Sequence, residues 1–138
     1  MRTGRIGLLM LLLALPLSLL ACTETDDSQS AAAGLRTIGP ADAVSELAAA
    51  DGATLIDVRT PAEFNDGALR DAQLIDVQAP DFREQVDALD RDATYYLYCR
   101  SGNRSGVAAQ IMADMGFTDL INIGGYEQLV AAGASTDR

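Results

Sequence analysis

The sequence contains no histidine and no lysine, and only two cysteines, Cys22 and Cys99. Without histidine there is no Cys-His or Ser-His catalytic pair and no histidine-ligated metal site. Positive charge is scarce. Ten arginines face twenty acidic residues, and once Arg2 and Arg5 are set aside in an N-terminal leader, eight remain for a net charge of −12. A chain this acidic argues against nucleic acid as a partner. It also makes any neighbouring pair of arginines informative, because the rest of the surface repels anions. No apolar run has the ~20 residues of a membrane span, since the longest, Ile6 to Leu20, falls short. What remains is ordinary: 138 residues, 12 glycines and 4 prolines, a composition that suits one globular domain with its own core.

The centre of the sequence is Cys99-Arg100-Ser101-Gly102-Asn103-Arg104-Ser105. Thr94 to Tyr98 before it is a β-branched and aromatic stretch that reads as a buried strand. Gly106 to Met115 after it carries Val107, Ala108, Ile111, Met112 and Met115 at helical spacing. The cysteine thus stands at the C-terminal end of a strand, where open α/β sheets place their active sites. Loop amides and the helix N-terminus direct partial positive charge into the loop, and Arg100 and Arg104 add two full charges. A thiol there ionises readily. Cys99 is the expected nucleophile, with Arg100, Ser101, Gly102, Asn103 and Arg104 as the expected substrate-binding loop. Gly102 is expected to supply a positive φ or close anion approach, and Ser105 to cap the helix.

From Leu35 onward, strand and helix patterns alternate. Strands are expected at Leu35–Ile38, Ala53–Val58, Leu74–Val77, around Tyr95, and at Leu120–Ile123. Helices are expected at Ala41–Ala50, Pro61–Phe64, Asp81–Leu89, after the cysteine loop, and at Tyr126–Ala132, with Gly124-Gly125 as a turn. This predicts an α/β domain over 35–135, a mostly parallel central sheet of about five strands with helices on both faces. Tyr95, Tyr96 and Tyr98 are expected in the sheet core. Asp57, Arg59 and Glu63 are expected to be structural and near the site, with Arg59 pairing Glu63.

Three stretches together resemble the rhodanese (sulfurtransferase) domain family. They are Leu55-Ile56-Asp57-Val58-Arg59 with Pro61, Glu63 and Phe64; Tyr98 through Ser105; and Ala113 to Phe117 followed by Leu120 to Gly125. The resemblance implies a single-domain enzyme without a cofactor. Cys99 would take the outer sulfur of a donor such as thiosulfate, hold it as a persulfide, and pass it to a thiophilic acceptor; whether a protein acceptor or reductase is a further partner is left open by the sequence. Where the family commonly reads Gly-His-Ile-Pro-Gly-Ala, this chain has Gly67-Ala68-Leu69-Arg70-Asp71-Ala72, so one wall of the pocket departs from the pattern. Two rivals stand beside this reading. A phosphatase or arsenate reductase needs arginine six residues after the cysteine, where this chain has Ser105. A docking or sulfide-binding module would need no chemistry at Cys99.

Residues 1–21 combine Arg2 and Arg5 with the apolar run, as a signal peptide does. Leu19-Leu20-Ala21-Cys22 resembles a bacterial lipobox, which implies cleavage and lipidation at Cys22. No disulfide to Cys99 is then expected. Thr23 to Gly34 is a polar, small-residue stretch that reads as a flexible tether. The expected location is the periplasmic side of the cell envelope, lipid-anchored, and in the outer membrane, because Thr23 rather than aspartate follows the cysteine.

Overall fold

A computed structural model describes residues 34–137. The leader, Cys22 and most of the tether lie outside the described residues. Five parallel strands form one sheet in the order β1-β5-β4-β2-β3: β1 (Leu35–Thr37), β2 (Thr54–Asp57), β3 (Gln73–Leu74), β4 (Thr94–Cys99) and β5 (Asp119–Gly125). The helices are α1 (Pro40–Ala49), α2 (Pro61–Asp66), α3 (Phe82–Asp87), α4 (Asn103–Asp114) and α5 (Tyr126–Ala131).

Alternation along the strands builds two cores, since successive side chains leave opposite faces of a sheet. Tyr95, Leu97 and Cys99 face one side with Ile56, Val58 and Leu120, against Phe82, Val86, Ala108, Ala109 and Met112 of α3 and α4. Tyr96 and Tyr98 face the other with Ile121 and Ile123, against Ala43 of α1, Leu129 of α5 and Leu69. Both faces being covered explains why β2 and β4 read as near-continuous apolar runs. The three tyrosines are buried as expected.

Several element bounds differ from the sequence reading. The strand expected at Leu74–Val77 is assigned only over Gln73–Leu74, although Ile75 and Val77 still donate amide bonds to Asp57 and Val58. The expected Gly124-Gly125 turn is instead the end of β5. Leu97 pairs with Asn122 but Tyr98 pairs with Gly124, so Ile123 is skipped. That bulge is accommodated by Gly124 at φ 93°. Helix α4 begins at Asn103, three residues before the apolar pattern that announces it.

Candidate active site

The C-terminal ends of β2, β4 and β5 converge on one polar region. Cys99 ends β4 fully buried and is a free thiol. The loop behind it is only Arg100-Ser101-Gly102, and Gly102 at φ 93° occupies the N-cap of α4 without any side-chain cap. A left-handed backbone there favours glycine, and a Cβ would lie 3.2 Å from Gly124 Cα. Beside it, a Cβ on Gly125 would meet the Arg100 carbonyl oxygen at 2.6 Å, so β5 presses directly on the loop. Position 102 therefore serves the loop backbone, as the sequence suggests.

The Gly102 amide donates to Cys99 Sγ at 3.1 Å, and the Ser105 hydroxyl approaches it at 3.5 Å. Burial alone would push the thiol up. The Ser105 hydroxyl and amide, with the amides of Ser101 and Gly102, outweigh it and bring the Cys99 pKa below its ordinary value. The uncapped first turn of α4 adds dipolar stabilisation of the same sign.

Ser105 was expected to cap α4. It lies inside the first turn instead, and its hydroxyl reaches Gly102 O at 3.1 Å, Asn122 Oδ1 at 2.8 Å and Cys99 Sγ. Asn122, a residue the sequence reading passed over, completes the support. Its Nδ2 donates to Gly102 O at 3.1 Å, while its Oδ1 also accepts from the Gly124 amide at 3.1 Å. One buried amide on β5 thus fixes the loop carbonyl and orients the serine. The visible signal was a lone amide side chain in the middle of a buried parallel strand, which must find partners there. Ser105→Ala is expected to move the pH midpoint of Cys99 alkylation by iodoacetamide upward; an unmoved midpoint would leave Ser105 with a purely structural role.

Arg59 does not pair with Glu63. It follows Asp57 by two residues, so both project from one side of an extended chain. Arg59 Nη2 and Nε donate to Asp57 Oδ2 at 2.6 and 3.0 Å, and Nε also reaches Oδ1 at 2.9 Å. Nη2 further donates to Gly67 O at 2.7 Å, and the guanidinium lies 4.4 Å from the Tyr126 ring centroid.

Glu63 pairs with Arg104 instead. Arg104 Nη1 and Nη2 donate to its two carboxylate oxygens at 2.8 and 2.7 Å, with Gln78 Oε1 at 3.4 Å from Nη1. Thr60 and Glu63 also form a reciprocal capping box on α2, with Pro61 opening the helix. The Arg104 bonds, against burial and aided by the Thr60 amide and hydroxyl, lower the Glu63 pKa from 4.5 to about 2. A depressed carboxylate contributes stability that is complete above its unfolded value and is lost as pH falls through the folded one. At this partly exposed pair the contribution is about 1 kcal/mol. Wild type and Glu63→Gln are therefore expected to differ by that amount in urea unfolding at neutral pH. The difference should close between pH 4.5 and about 2; a constant difference across that range would remove the ion pair as its source.

Of the loop residues, Arg100, Ser101 and Asn103 are exposed. The Arg100 side chain makes no ion pair among the described residues, whereas Arg104 is engaged by Glu63. A pocket of about 420 Å³ opens beside the loop, lined in part by Arg59, Glu63, Asp66, Arg100, Tyr126 and Glu127. The divergent stretch 67–72 forms its own support. Leu69 is buried and bridges Thr136, its amide donates to Tyr98 Oη at 3.1 Å, and Arg70 N bonds Ser135 O. No group of three or more acidic or cysteine side chains suited to a metal occurs among the described residues.

The profile of the rhodanese-like domain matches residues 40–132. The Bacillus subtilis protein YqhL is 36% identical over 77 residues, 55% of this chain; the chain spans only 60% of YqhL's length. The Escherichia coli thiosulfate sulfurtransferase PspE is 30% identical over 76 residues, covering 54% of this chain and 71% of PspE. Among solved structures, a rhodanese-related protein from Thermoplasma volcanium superposes with a TM-score of 0.62 at 28% identity, covering 73% of this chain and 96% of the other.

Proposed function

The chain belongs to the rhodanese-like domain family, and from that premise we propose that it is a sulfurtransferase working through a persulfide on Cys99. The observation that carries the reading is the setting of Cys99 Sγ, buried at the end of β4 with the Gly102 amide donating to it and the Ser105 hydroxyl 3.5 Å away. A thiol already biased toward thiolate needs no general base, which suits a chain without histidine. The thiolate attacks the outer sulfur of thiosulfate or of a persulfide donor, and the S–S electron pair leaves on sulfite or on the donor thiolate. A thiophilic acceptor then takes that sulfur, and Cys99 Sγ leaves as thiolate. The same donors that stabilise the resting thiolate stabilise this leaving group. Relatives named as sulfurtransferases support the reading. The short loop, with Ser105 where a phosphatase needs arginine, disfavours phosphoryl chemistry.

Intact mass after incubation with thiosulfate or inorganic polysulfide is the direct test. One added sulfur, removed by cyanide, is expected; no added sulfur from either donor would favour the docking-module reading.

We further propose that Cys22 carries lipid and holds the domain at the periplasmic side of the envelope, in the outer membrane. The lipobox-like Leu19 to Cys22 supports this, and more than one acyl chain gives stable anchoring. Cys22→Ser is expected to release the protein from the membrane fraction or to block processing. Wild-type fractionation and processing of that variant would overturn the anchor.

A further inference from the structure

The chain carries few cations, and two of those near the site are each matched by a carboxylate. Arg59 is matched by Asp57, and Arg104 is matched bidentately by Glu63. Glu63 is itself fixed by the Thr60 amide at 3.1 Å and the Thr60 hydroxyl at 3.0 Å, so its carboxylate is held in place rather than drawn in by chance. Among the described residues, the pocket beside the loop then has one cation without an ion pair, Arg100, against two carboxylates without one, Asp66 and Glu127. A cradle built for an inorganic dianion would show the opposite balance. The same pocket, at about 420 Å³, has room for the organic body of a larger substrate.

We propose that Glu63 is a specificity-determining residue that cancels the charge of Arg104 beside Cys99, and that the site thereby selects organic persulfides of low charge over dianionic thiosulfate. This rests on the sulfur-transfer reading above and names its donor class. In the preferred reaction the Cys99 thiolate attacks the outer sulfur of R–S–SH. The new S–S bond forms at Cys99, the old one breaks, and its electron pair leaves on R–S⁻. No oxidant or reductant is consumed. Thiosulfate would have to bring two negative charges to the same position, beside a neutralised Arg104 and the rim carboxylates.

The test compares thiosulfate with a hydroxyalkyl persulfide, which carries at most one negative charge, as donors to wild type and to Glu63→Gln. The amide is nearly isosteric and can still accept from Arg104 and Thr60. Removing its charge is expected to raise the ratio of kcat/KM for thiosulfate to that for the persulfide by about fivefold or more at low salt, and the gain should shrink as salt is added. The pH midpoint of Cys99 alkylation should fall in the same variant, a readout that requires no sulfur transfer. The exposed double variant Asp66→Asn/Glu127→Gln, which leaves the ion pair in place, should shift the donor ratio in the same direction. An unchanged or lower ratio in both variants, with both donors still loading wild type, overturns the inference alone. Wild type that loads from neither donor overturns the inference and the sulfur-transfer reading together.

Discussion

Cys99→Ser is expected to reduce sulfur transfer to background while the domain melts as the wild type does. The substituted oxygen occupies the sulfur's place at the end of β4, where the Gly102 amide and the Ser105 hydroxyl are already aimed. A neutral hydroxyl can accept both bonds, so the loop keeps its partners and packing barely changes. Chemistry is lost for two reasons. The hydroxyl has no histidine to take its proton anywhere in the chain, and loop amides that can hold a thiolate are too weak to ionise an alcohol. A serine oxygen also forms no persulfide. The loop amides and Arg100 remain, so weak binding of a small anion should survive. Turnover and intact mass after donor treatment read the first expectation, and thermal melting by circular dichroism reads the second. Turnover in this variant would remove Cys99 from the mechanism. Loss of turnover accompanied by a collapsed melting transition would instead make the thiol structural.

The strand and helix order was legible because both faces of the sheet are covered, which leaves long apolar runs in β2, β4 and β5. The nucleophile was legible because its loop is local: cysteine, glycine and helix start lie within five residues. The support of that loop was less so. Glu63 and Arg104 are 41 residues apart, and nothing in either local pattern says that α2 ends up beside the cysteine loop. Arg59 departs from its expected pairing for a different reason. Its true partner was two residues away on the same side of an extended chain, and that strand periodicity was available in the sequence. Glu63, meanwhile, had a local role that could also be read: Thr60-Pro61-Ala62-Glu63 has the spacing of a capping box. The stretch 67–72 could not be read at all from its departure from the family pattern. Its partners are Tyr98 and the segment around Ser135 and Thr136, which only the tertiary structure brings close.

Asp57→Ala is expected to cause the largest loss of stability of any single substitution near the site. Asp57 is fully buried and Arg59 is 4% exposed. The carboxylate accepts three bonds from the Arg59 guanidinium and one from the Arg59 amide at 2.9 Å. Burial would lower the Arg59 pKa, but Asp57 outweighs it and holds the cation charged. Removing the carboxylate leaves a buried guanidinium whose remaining contacts are the Gly67 carbonyl and the faces of Tyr98 and Tyr126. An uncompensated buried charge of this kind costs about 3–5 kcal/mol, which for a domain of this size lowers Tm by upwards of about 12 °C. The cost belongs to the orphaned charge and not to the lost contacts. A well-packed apolar replacement of both partners, Asp57→Leu with Arg59→Met, should therefore recover much of it. The recovered domain would still lack the Arg59 bond to Gly67, which sits at the exit of α2, so the pocket that Arg59, Gly67 and Arg100 line should remain loosened after stability returns. Thermal melting of the single and double variants measures the effect. A single variant that melts within about 2 °C of wild type, well under the shift expected for ~1 kcal/mol, would show that the pair is not what holds this end of the sheet.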